Sequence, residues 1–366
     1  MSRAYATAGC GSTTLVVPNG VRVPFASAIL STVGTPASRT GETAPVRRTI
    51  TVMTRNLYLG ANLDPIVSAM SAGKSLDAVA AGWTQVQAND FPTRARAIAA
   101  EVASVEPDFV GLQELALFRT QAPVDAVQTP ATTAALDYEL ELQQAFAERD
   151  LRYRFVVSKA STDVELSIGE PPTMHVRMTL RNALLVRNGI SVGDVRCGNY
   201  PTVMQMDGGP FVARRGWVSV DATIAGTTFR VIASHLESYD RATQEAQSEE
   251  ILSGPARTEL PVVLLGDLNS LPDGSTTATY ANLVAGGFDD AWTRAYPDAP
   301  GLTCCHGEDL RLVGGAFTER IDYVLMRGGF EAVRGAVTGE AESTRLDGLW
   351  PSDHGGVWLT LRLPAR

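Results

Sequence analysis

Eight polar residues stand at or beside the ends of short apolar runs, where side chains from neighbouring strands can converge on one cleft. They are Asn56, Glu114, His235, Asp267, Asn269, Asp322, Asp353 and His354. Carboxylates and amides are ligands for hard cations, and a histidine can accept a proton near neutral pH. Each residue alone has an ordinary explanation, such as turn formation or solvation. Their shared position at strand ends predicts a common catalytic site.

The elements that must position these residues are short strands alternating with helices from residue 49 onward. Apolar runs predict strands at Thr49–Asn56, Asp108–Leu112, Arg152–Val157, Asn182–Val186, Gly216–Ile224, Phe229–Ser234, Val262–Gly266, Ile321–Met326 and Gly356–Leu363. Helical spacing of apolar residues predicts helices at Thr93–Ser104, Ala134–Glu148, Ala242–Leu252 and Thr276–Ala285.

Two of these strands predict the architecture. Trp217–Ile224 and Phe229–Ser234 are separated only by Ala225-Gly226-Thr227-Thr228, which indicates an antiparallel hairpin. A hairpin excludes a purely parallel, doubly wound sheet. We therefore expect a mixed α/β fold in which two stacked sheets carry helices on their outer faces. Because the sequence shows neither an internal repeat nor a linker after residue 48, we expect residues 49–366 to form a single catalytic domain.

Composition limits the class of protein. The chain has 366 residues, of which 45% are hydrophobic and 19% are charged, so it can bury a sizeable core. The sequence contains no apolar run of about 18 residues and thus predicts no membrane-spanning helix. The net charge of -9 argues against tight, broad electrostatic binding of nucleic acid. It leaves open a nuclease that neutralises phosphates with a bound cation.

Residues 1–48 differ from the rest of the chain. They carry a net charge of +4, which leaves -13 for residues 49–366, and they lack a sustained hydrophobic period. This pattern predicts either a flexible leader or a degenerate secretion signal. The protein would accordingly be secreted or, failing that, cytoplasmic, and we expect a monomer.

The four cysteines, at positions 10, 197, 304 and 305, include no CxxC pair and give little support to a structural zinc site. If the protein is exported, Cys197 could pair with Cys304 or Cys305. The alternative is that these cysteines are buried free thiols.

Six segments, in this order, resemble the endonuclease/exonuclease/phosphatase superfamily, the metal-dependent fold shared by DNase I, exonuclease III and neutral sphingomyelinases. They are Arg55-Asn56-Leu57, Gly111-Leu112-Gln113-Glu114, Ser234-His235-Leu236, Gly266-Asp267-Leu268-Asn269-Ser270, Arg320-Ile321-Asp322-Tyr323 and Ser352-Asp353-His354. The stretches Asn56-Leu57-Tyr58-Leu59-Gly60-Ala61 and Thr303-Cys304-Cys305 resemble a bacterial, exported branch. The resemblance implies a four-layer α/β sandwich of two packed, mostly antiparallel β-sheets flanked by helices.

The resemblance also implies a Mg²⁺-dependent phosphoesterase, with Mn²⁺ as a substitute ion. Its substrates would be phosphodiesters of nucleic acids or of phospholipid headgroups, and nucleic acid would bind only as a substrate. Glu114 would be the main metal ligand, with Asn56 and Asp353 contributing. Hydrolysis of a phosphate ester requires a neutralised phosphoryl group and an activated water, which these residue types can supply.

The same resemblance implies the catalytic roles. His354 would be the general base, and Asp322 would hold its ring in the productive tautomer. Asp267 would orient or activate the water, so the identity of the base stays open between Asp267 and His354. Asn269 would donate to a phosphoryl oxygen, and His235 would donate to the phosphate or assist the leaving group.

The sequence departs from the family pattern in its middle segment, Thr179-Leu180-Arg181-Asn182-Ala183. Asn182 could still bind phosphate there, and Arg181 is a second candidate for substrate binding. The long insertion over residues 119–179 is expected to shape the substrate entrance.

Two other functional classes stay open. One is a non-catalytic binding protein that keeps the fold, and the other is the same scaffold acting on a small molecule without phosphate. The presence of every expected metal and base residue favours the phosphoesterase.

Overall fold

The computed structural model describes residues 3–4, 10, 48–71, 76–125, 129–205 and 212–365. The leader predicted over residues 1–48 lies almost entirely outside them. The described strands are β1 Arg3–Ala4, β2 Thr49–Asn56, β3 Phe109–Gln113, β4 Leu117–Gln121, β5 Thr133–Asp137, β6 Tyr153–Ile168, β7 Met174–Arg187, β8 Val192–Asn199, β9 Met204–Gln205, β10 Val212–Ala213, β11 Gly216–Ile224, β12 Thr227–His235, β13 Val262–Asp267, β14 Asp289–Asp290, β15 Asp322–Arg327, β16 Glu331–Thr338 and β17 Gly356–Arg362.

The described helices are α1 Asp64–Ser71, α2 Leu76–Ala88, α3 Phe91–Val105, α4 Tyr138–Glu148, α5 Arg241–Ser253, α6 Thr279–Ala285 and α7 Ala291–Ala295, and Glu342–Thr344 forms a 3-10 turn. Within the described residues, none of the helices combines the length and hydrophobicity needed to cross a membrane.

Two large mixed sheets form the centre of the fold. The first has the strand order β1-β6-β7-β3-β2-β17-β16, with β4 beside β7 and β5 beside β4. The second has the order β14-β15-β13-β12-β11-β8. The pairs β2–β3 and β12–β13 are parallel, whereas most other pairs are antiparallel. The predicted hairpin is confirmed as β11–β12, in which Ile224 pairs with Thr227.

Alternation along the central strands produces the layers, because successive side chains point to opposite faces of a sheet. In β13, Val263 and Leu265 enter the core between the two sheets, while Val262 and Leu264 face the layer with α5 and α6. In the first sheet, Ile50 of β2 likewise faces the inner core. The outer face of that sheet packs against α3 and α4. The expected four-layer α/β sandwich is thus confirmed.

The insertion over residues 119–179 differs most from expectation. Strands β6 and β7 form a hairpin far longer than the predicted runs, because its outer part carries polar residues that hid the strand period. The predicted helix Ala134–Glu148 begins only at Tyr138, because residues 133–137 pair with β4 as β5. The Asp137 carboxylate then accepts a hydrogen bond from Glu139 N and caps α4.

The disulfide of Cys197 differs from the pairing suggested by the sequence. Cys197, near the end of β8, bonds to Cys10, with their Cα atoms 5.8 Å apart. Pairing of Cys197 with Cys304 or Cys305 was therefore wrong: β8 is an edge strand of the second sheet, and Cys304 lies beside His354 instead. Cys304 and Cys305 are adjacent, with their sulfur atoms in contact, and the bond to Cys10 makes the free-thiol alternative wrong for Cys197.

Candidate active site

Strand direction brings the predicted residues to one edge of both sheets. The parallel strands β2 and β3 end at Asn56 and just before Glu114, and β12 and β13 end at His235 and Asp267. Strand β15 is antiparallel to β13, so its first residue, Asp322, pairs with Asp267. The start of β17 is likewise brought beside the end of β2.

His354 and Asp322 form the tightest contact of the site. His354 Nδ1 lies 2.8 Å from Asp322 Oδ2, and both side chains are buried. Burial disfavours the charged imidazole, but the negative charges of Asp322 and Asp353 outweigh it and raise the pKa of His354 well above its usual value. The surroundings therefore stabilise the imidazolium that forms when His354 takes a proton.

The loop that carries His354 is fixed by its backbone. Cys304 forms a β-bridge with His354, and Gly355 N donates to Thr303 O at 2.7 Å. The Thr303 hydroxyl oxygen also accepts from Asp322 N at 3.3 Å, which ties the two loops together. On the other side, the buried Arg55 guanidinium donates to His354 O and pairs with Glu101. The backbone of His354 is therefore held from two directions.

Asp267 lies at the centre of the group. Its Oδ2 accepts from Asn56 Nδ2 at 2.9 Å, and it lies 3.5 Å from His235 Nε2 and 3.9 Å from His354 Nε2. Its Oδ1 accepts from Asn269 N at 3.0 Å. Burial, followed by the charge of Asp322, raises the pKa of Asp267 to about 7. Asp267 can thus either hold or release a proton near neutral pH.

Glu114 and Asp353 form an acidic pair that fits a divalent cation. Both line a cleft of about 290 Å³. Burial, followed by the charge of Asp353, raises the pKa of Glu114, and burial also raises the pKa of Asp353. A cation would offset both effects, and carboxylate oxygens are the ligands that Mg²⁺ prefers. Glu114 Oε2 is fixed by a hydrogen bond of 2.7 Å from Leu59 N.

Asn56, the third predicted ligand, is largely engaged. Its Oδ1 accepts from Tyr58 N at 2.9 Å, which leaves one lone pair of that oxygen for a metal. A second set of donors lies nearby, because ligand atoms of Asp267, Asp322 and His354 are all within 4.8 Å of one another. The donor chemistry therefore permits either one or two cations.

Arg215 is a functional candidate that the sequence analysis missed. Its Nη1 lies 3.1 Å from both ring nitrogens of His235, and its Nη2 donates to Ser238 Oγ at 3.2 Å. Glu237 Oε2 lies 3.6 Å from Arg215 Nε. Burial, then the positive charges of Arg215 and His354, lowers the pKa of His235 well below its usual value. The cleft thus contains a guanidinium beside a neutral imidazole.

The register of the predicted hairpin contained a signal for Arg215. Gly216 pairs with His235 across β11 and β12. The residue before Gly216 must therefore lie beside the end of β12, where His235 was already a candidate. An arginine at that position could have been identified from the hairpin alone.

The remaining predicted residues lie around this centre. Asn269 Nδ2 donates to Leu236 O at 3.1 Å, and the buried Asn182 Nδ2 donates to Gly216 O at 2.7 Å. Asn182 therefore supports the backbone next to Arg215. The Arg181 guanidinium binds Leu115 O, Asp137 and Glu139, and so joins β7 to the start of α4. Direct binding of substrate by Arg181 or Asn182 stays a prediction.

Comparison with known proteins identifies the family and the fold. Residues 79–354 match the sequence profile of the Endonuclease/Exonuclease/phosphatase family. The structure is similar to a family protein from Leptotrichia buccalis (TM-score 0.54, 16% identity, 85% of this chain and 99% of the other). It is also similar to a humanized D. rerio TDP2 (TM-score 0.53, 18% identity, 86% of this chain and 99% of the other). A third similar structure is the mannosyl-6-phosphatase Bt3783 from Bacteroides thetaiotaomicron (TM-score 0.51, 18% identity, 85% of this chain and 99% of the other).

No curated protein matches the sequence. These structural likenesses, all under 25% identity, show the fold. The profile covers most of the chain, including every site residue predicted from sequence except Asn56. The chain belongs to the endonuclease/exonuclease/phosphatase family, whose members include phosphoesterases and nucleases.

Proposed function

We propose that this protein is a Mg²⁺-dependent phosphodiesterase in which His354 is the general base. One observation carries the proposal. His354 Nδ1 is bound to Asp322, while His354 Nε2 faces Asp267 Oδ2 across 3.9 Å. That separation is too long for a direct hydrogen bond, but one water molecule can contact both atoms. The two residues are thus arranged to hold and deprotonate the same water.

The protonation states follow from the contacts of His354. Asp322 accepts the Nδ1 proton. The negative charges of Asp322 and Asp353 raise the pKa of His354, and a cation held at Asp353 would offset that effect, so that Nε2 is free to take a proton from water. Asp322 and Asp353 then stabilise the resulting imidazolium. Asp267 is held by Asn56 and Asn269 and so fixes the position of the water. This division of roles favours His354 as base and Asp267 as the orienting group.

Glu114 and Asp353 would hold the cation, with the remaining lone pair of Asn56 as a further donor. A bound Mg²⁺ supplies positive charge that neutralises the phosphoryl oxygens of the substrate. Arg215 and the neutral His235 would donate to those oxygens from the other side of the cleft. Asn269 would also donate to a phosphoryl oxygen, once its Nδ2 leaves Leu236 O and turns to the substrate.

The substrate is best described as carrying one phosphate. Among the lining residues, Arg215 is accompanied by the acidic Glu114, Glu308 and Asp353, so the cleft does not favour a run of phosphates. The similar Bacteroides protein is a mannosyl-6-phosphatase, which acts on a single phosphate ester. A phospholipid headgroup or a short nucleotide ester would each present one phosphate to Arg215 and to the cation held by Glu114 and Asp353.

We further propose that the protein is exported, in line with the resemblance to a bacterial exported branch. The Cys10–Cys197 disulfide supports this, because such bonds persist mainly in oxidising compartments. The monomeric state stays a prediction, which sedimentation equilibrium tests.

The test is a substrate panel with Mg²⁺ on the full chain. It comprises bis-p-nitrophenyl phosphate, p-nitrophenyl phosphate, single-stranded and duplex DNA, sphingomyelin and a phosphoinositide. We expect the diester to be cleaved faster than the monoester, and His354→Ala to abolish the difference. Cleavage of none of them by the folded protein would refute the phosphoesterase proposal. If the monoester is cleaved faster than the diester, the protein is a phosphatase and the proposed phosphodiesterase activity is wrong.

A further inference from the structure

Glu237 is a completely buried carboxylate that stands two residues after His235 and has no part in the proposed reaction. Its Oε1 accepts hydrogen bonds from Ser238 N at 2.9 Å and from Tyr239 N at 3.0 Å. Its Oε2 lies 3.6 Å from Arg215 Nε. Two N–H donors and a guanidinium stabilise the ionised form of a carboxylate. Glu237 therefore places a negative charge beside Arg215.

The backbone of Glu237 is held by α5. Gln247 Oε1 accepts from Glu237 N at 2.9 Å, and Gln244 Nε2 donates to Glu237 O. Both glutamine side chains are buried. Because the backbone is held on both sides and Oε1 is engaged by two N–H groups, the carboxylate cannot turn away from Arg215 without losing these bonds. The fold thus fixes the negative charge next to the guanidinium.

The same contact orients Arg215 in the cleft. Arg215 lines the cleft together with Ser238. Its Nε faces Glu237, and its two terminal nitrogens contact the ring of His235 and Ser238 Oγ. The terminal nitrogens of a guanidinium carry four N–H bonds, which is more than these contacts need. Arg215 can therefore still donate to a phosphoryl oxygen while its charge is opposed by Glu237.

The charges around the phosphate site then nearly cancel. Glu114 and Asp353 together would balance a divalent cation, and Glu237 balances Arg215. His235 is neutral, because burial and the charge of Arg215 lower its pKa. A phosphodiester brings one negative charge, whereas a phosphate monoester brings nearly two above about pH 6. Such a site accepts the single charge of a diester more readily than the double charge of a monoester.

We propose that Glu237 is a specificity-determining residue that disfavours doubly charged phosphate monoesters. It is a positioning residue, because it acts through Arg215 and does not touch the substrate. The inference rests on the proposed function for the phosphate site, and it gives a structural cause for preference of a diester. Removal of the Glu237 charge should therefore improve use of a monoester relative to a diester.

The first experiment measures kcat/KM for methyl p-nitrophenyl phosphate and for p-nitrophenyl phosphate at about pH 8, with the Mg²⁺-loaded full chain. Glu237→Gln keeps the size of the side chain and an oxygen for the two backbone N–H groups, but removes the charge. We expect the diester-to-monoester ratio of kcat/KM to fall about tenfold, because the dianion loses more repulsion than the monoanion.

A second variant moves the ratio in the opposite direction and does not depend on a buried position. Ser238 is exposed and contacts Arg215, so Ser238→Asp adds a negative charge there and should raise the diester-to-monoester ratio. Glu165→Gln is the matched control. Glu165 is a buried carboxylate that accepts from Ala131 N at 2.6 Å, and it is not among the residues that line the cleft. This control should keep the wild-type ratio.

The results separate a charge effect from a structural one. An equal loss for both esters in Glu237→Gln would assign Glu237 a purely structural role and overturn the proposal. A ratio that stays at the wild-type value in both Glu237→Gln and Ser238→Asp would overturn it as well.

The last experiment separates this proposal from the proposed function. Calorimetry measures the affinities of phenyl phosphate and methyl phenyl phosphate, with and without Mg²⁺, for the His354→Ala variant and for the His354→Ala, Glu237→Gln double variant. We expect the double variant to gain about tenfold more affinity for the monoester than for the diester. This gain, together with no hydrolysis of either ester by the wild type, would refute the phosphodiesterase and retain the role of Glu237. Equal affinity ratios in the two variants would overturn that role.

Discussion

At the residue scale, the central pair is His354 and Asp322. General-base catalysis contributes about 10²–10⁴ in rate, so His354→Ala should lower kcat by that factor. Asp322→Asn should lower kcat nearly as much, because it removes the charge and favours the wrong tautomer. The double variant should lose little more than the worse single variant, since residues that act as a unit are not additive. Steady-state kinetics measures kcat for the three variants, and thermal unfolding shows whether each variant is folded. Near-normal kcat in folded variants of reduced stability would assign the pair a purely structural role.

Arg215 gives an independent prediction at the same scale. Removal of one well-placed donor from a developing charge costs about 10²–10³ in rate, so Arg215→Ala should lower kcat/KM by that factor. Arg215→Lys should recover only part of the loss, because lysine lacks the fork that reaches both His235 and Ser238. The adjacent Arg214 offers a matched control, since its backbone binds Thr162 and it is not among the residues that line the cleft. An equal loss in Arg214→Ala would assign the effect to general charge.

Most of the site residues could be predicted from sequence because they follow apolar strands. Asp267 and Glu114 are recognisable since a buried run ends directly before each of them. Arg181 shows the limit of this reasoning. It stands within a strand, and the residues that engage its guanidinium, Asp137 and Glu139, come from an element whose boundary the sequence did not reveal. Side-chain partners across such distances depend on register, which apolar periodicity alone does not determine.

At the scale of elements, a buried ion pair joins α3 to the catalytic edge of the first sheet. Arg55 in β2 is completely buried and pairs with Glu101 of α3, with Nε and Oε2 3.1 Å apart. Arg55 also donates to His354 O. Such a pair fixes the helix relative to the loop that presents the catalytic histidine, whatever its net contribution to stability.

Glu101→Gln should lower the free energy of unfolding by about 3 kcal/mol, because it leaves the Arg55 charge buried without a counter-charge. Glu331→Gln is the matched control. It breaks the exposed Arg362–Glu331 pair and should change stability by less than about 0.5 kcal/mol. Urea denaturation of both variants measures the difference. Equal stability of the two variants would show that the buried pair does not hold the fold in this way.

Helices α1 and α2 show what element prediction missed. In α2, Val79, Trp83 and Val86 recur at helical spacing and line one apolar space over β6 and β7, so the period was present in the sequence. The helix is rich in alanine and its polar residues are few, which weakened the contrast between its faces. The position of both helices over the β6–β7 hairpin is a tertiary property. It could not be foreseen without the length of that hairpin.

At the scale of the whole molecule, charge limits the partners. Residues 49–366 carry a net charge of -13. We therefore expect random duplex DNA to bind more weakly than about 1 µM at physiological salt without metal, with affinity falling steeply as salt rises. Fluorescence anisotropy over a salt series measures this. Submicromolar affinity under those conditions would contradict the assignment of a substrate with a single phosphate.

A cation held by Glu114 would be the central requirement of the proposed phosphodiesterase. The decisive measurement is the rate of bis-p-nitrophenyl phosphate hydrolysis after chelation and during stepwise return of Mg²⁺, for the wild type and Glu114→Gln. We predict that chelation abolishes the wild-type rate, that Mg²⁺ or Mn²⁺ restores it with saturation, and that Glu114→Gln requires far more metal or stays inactive. A wild-type rate that persists in excess chelator, or a Glu114→Gln titration identical to that of the wild type, would contradict the account.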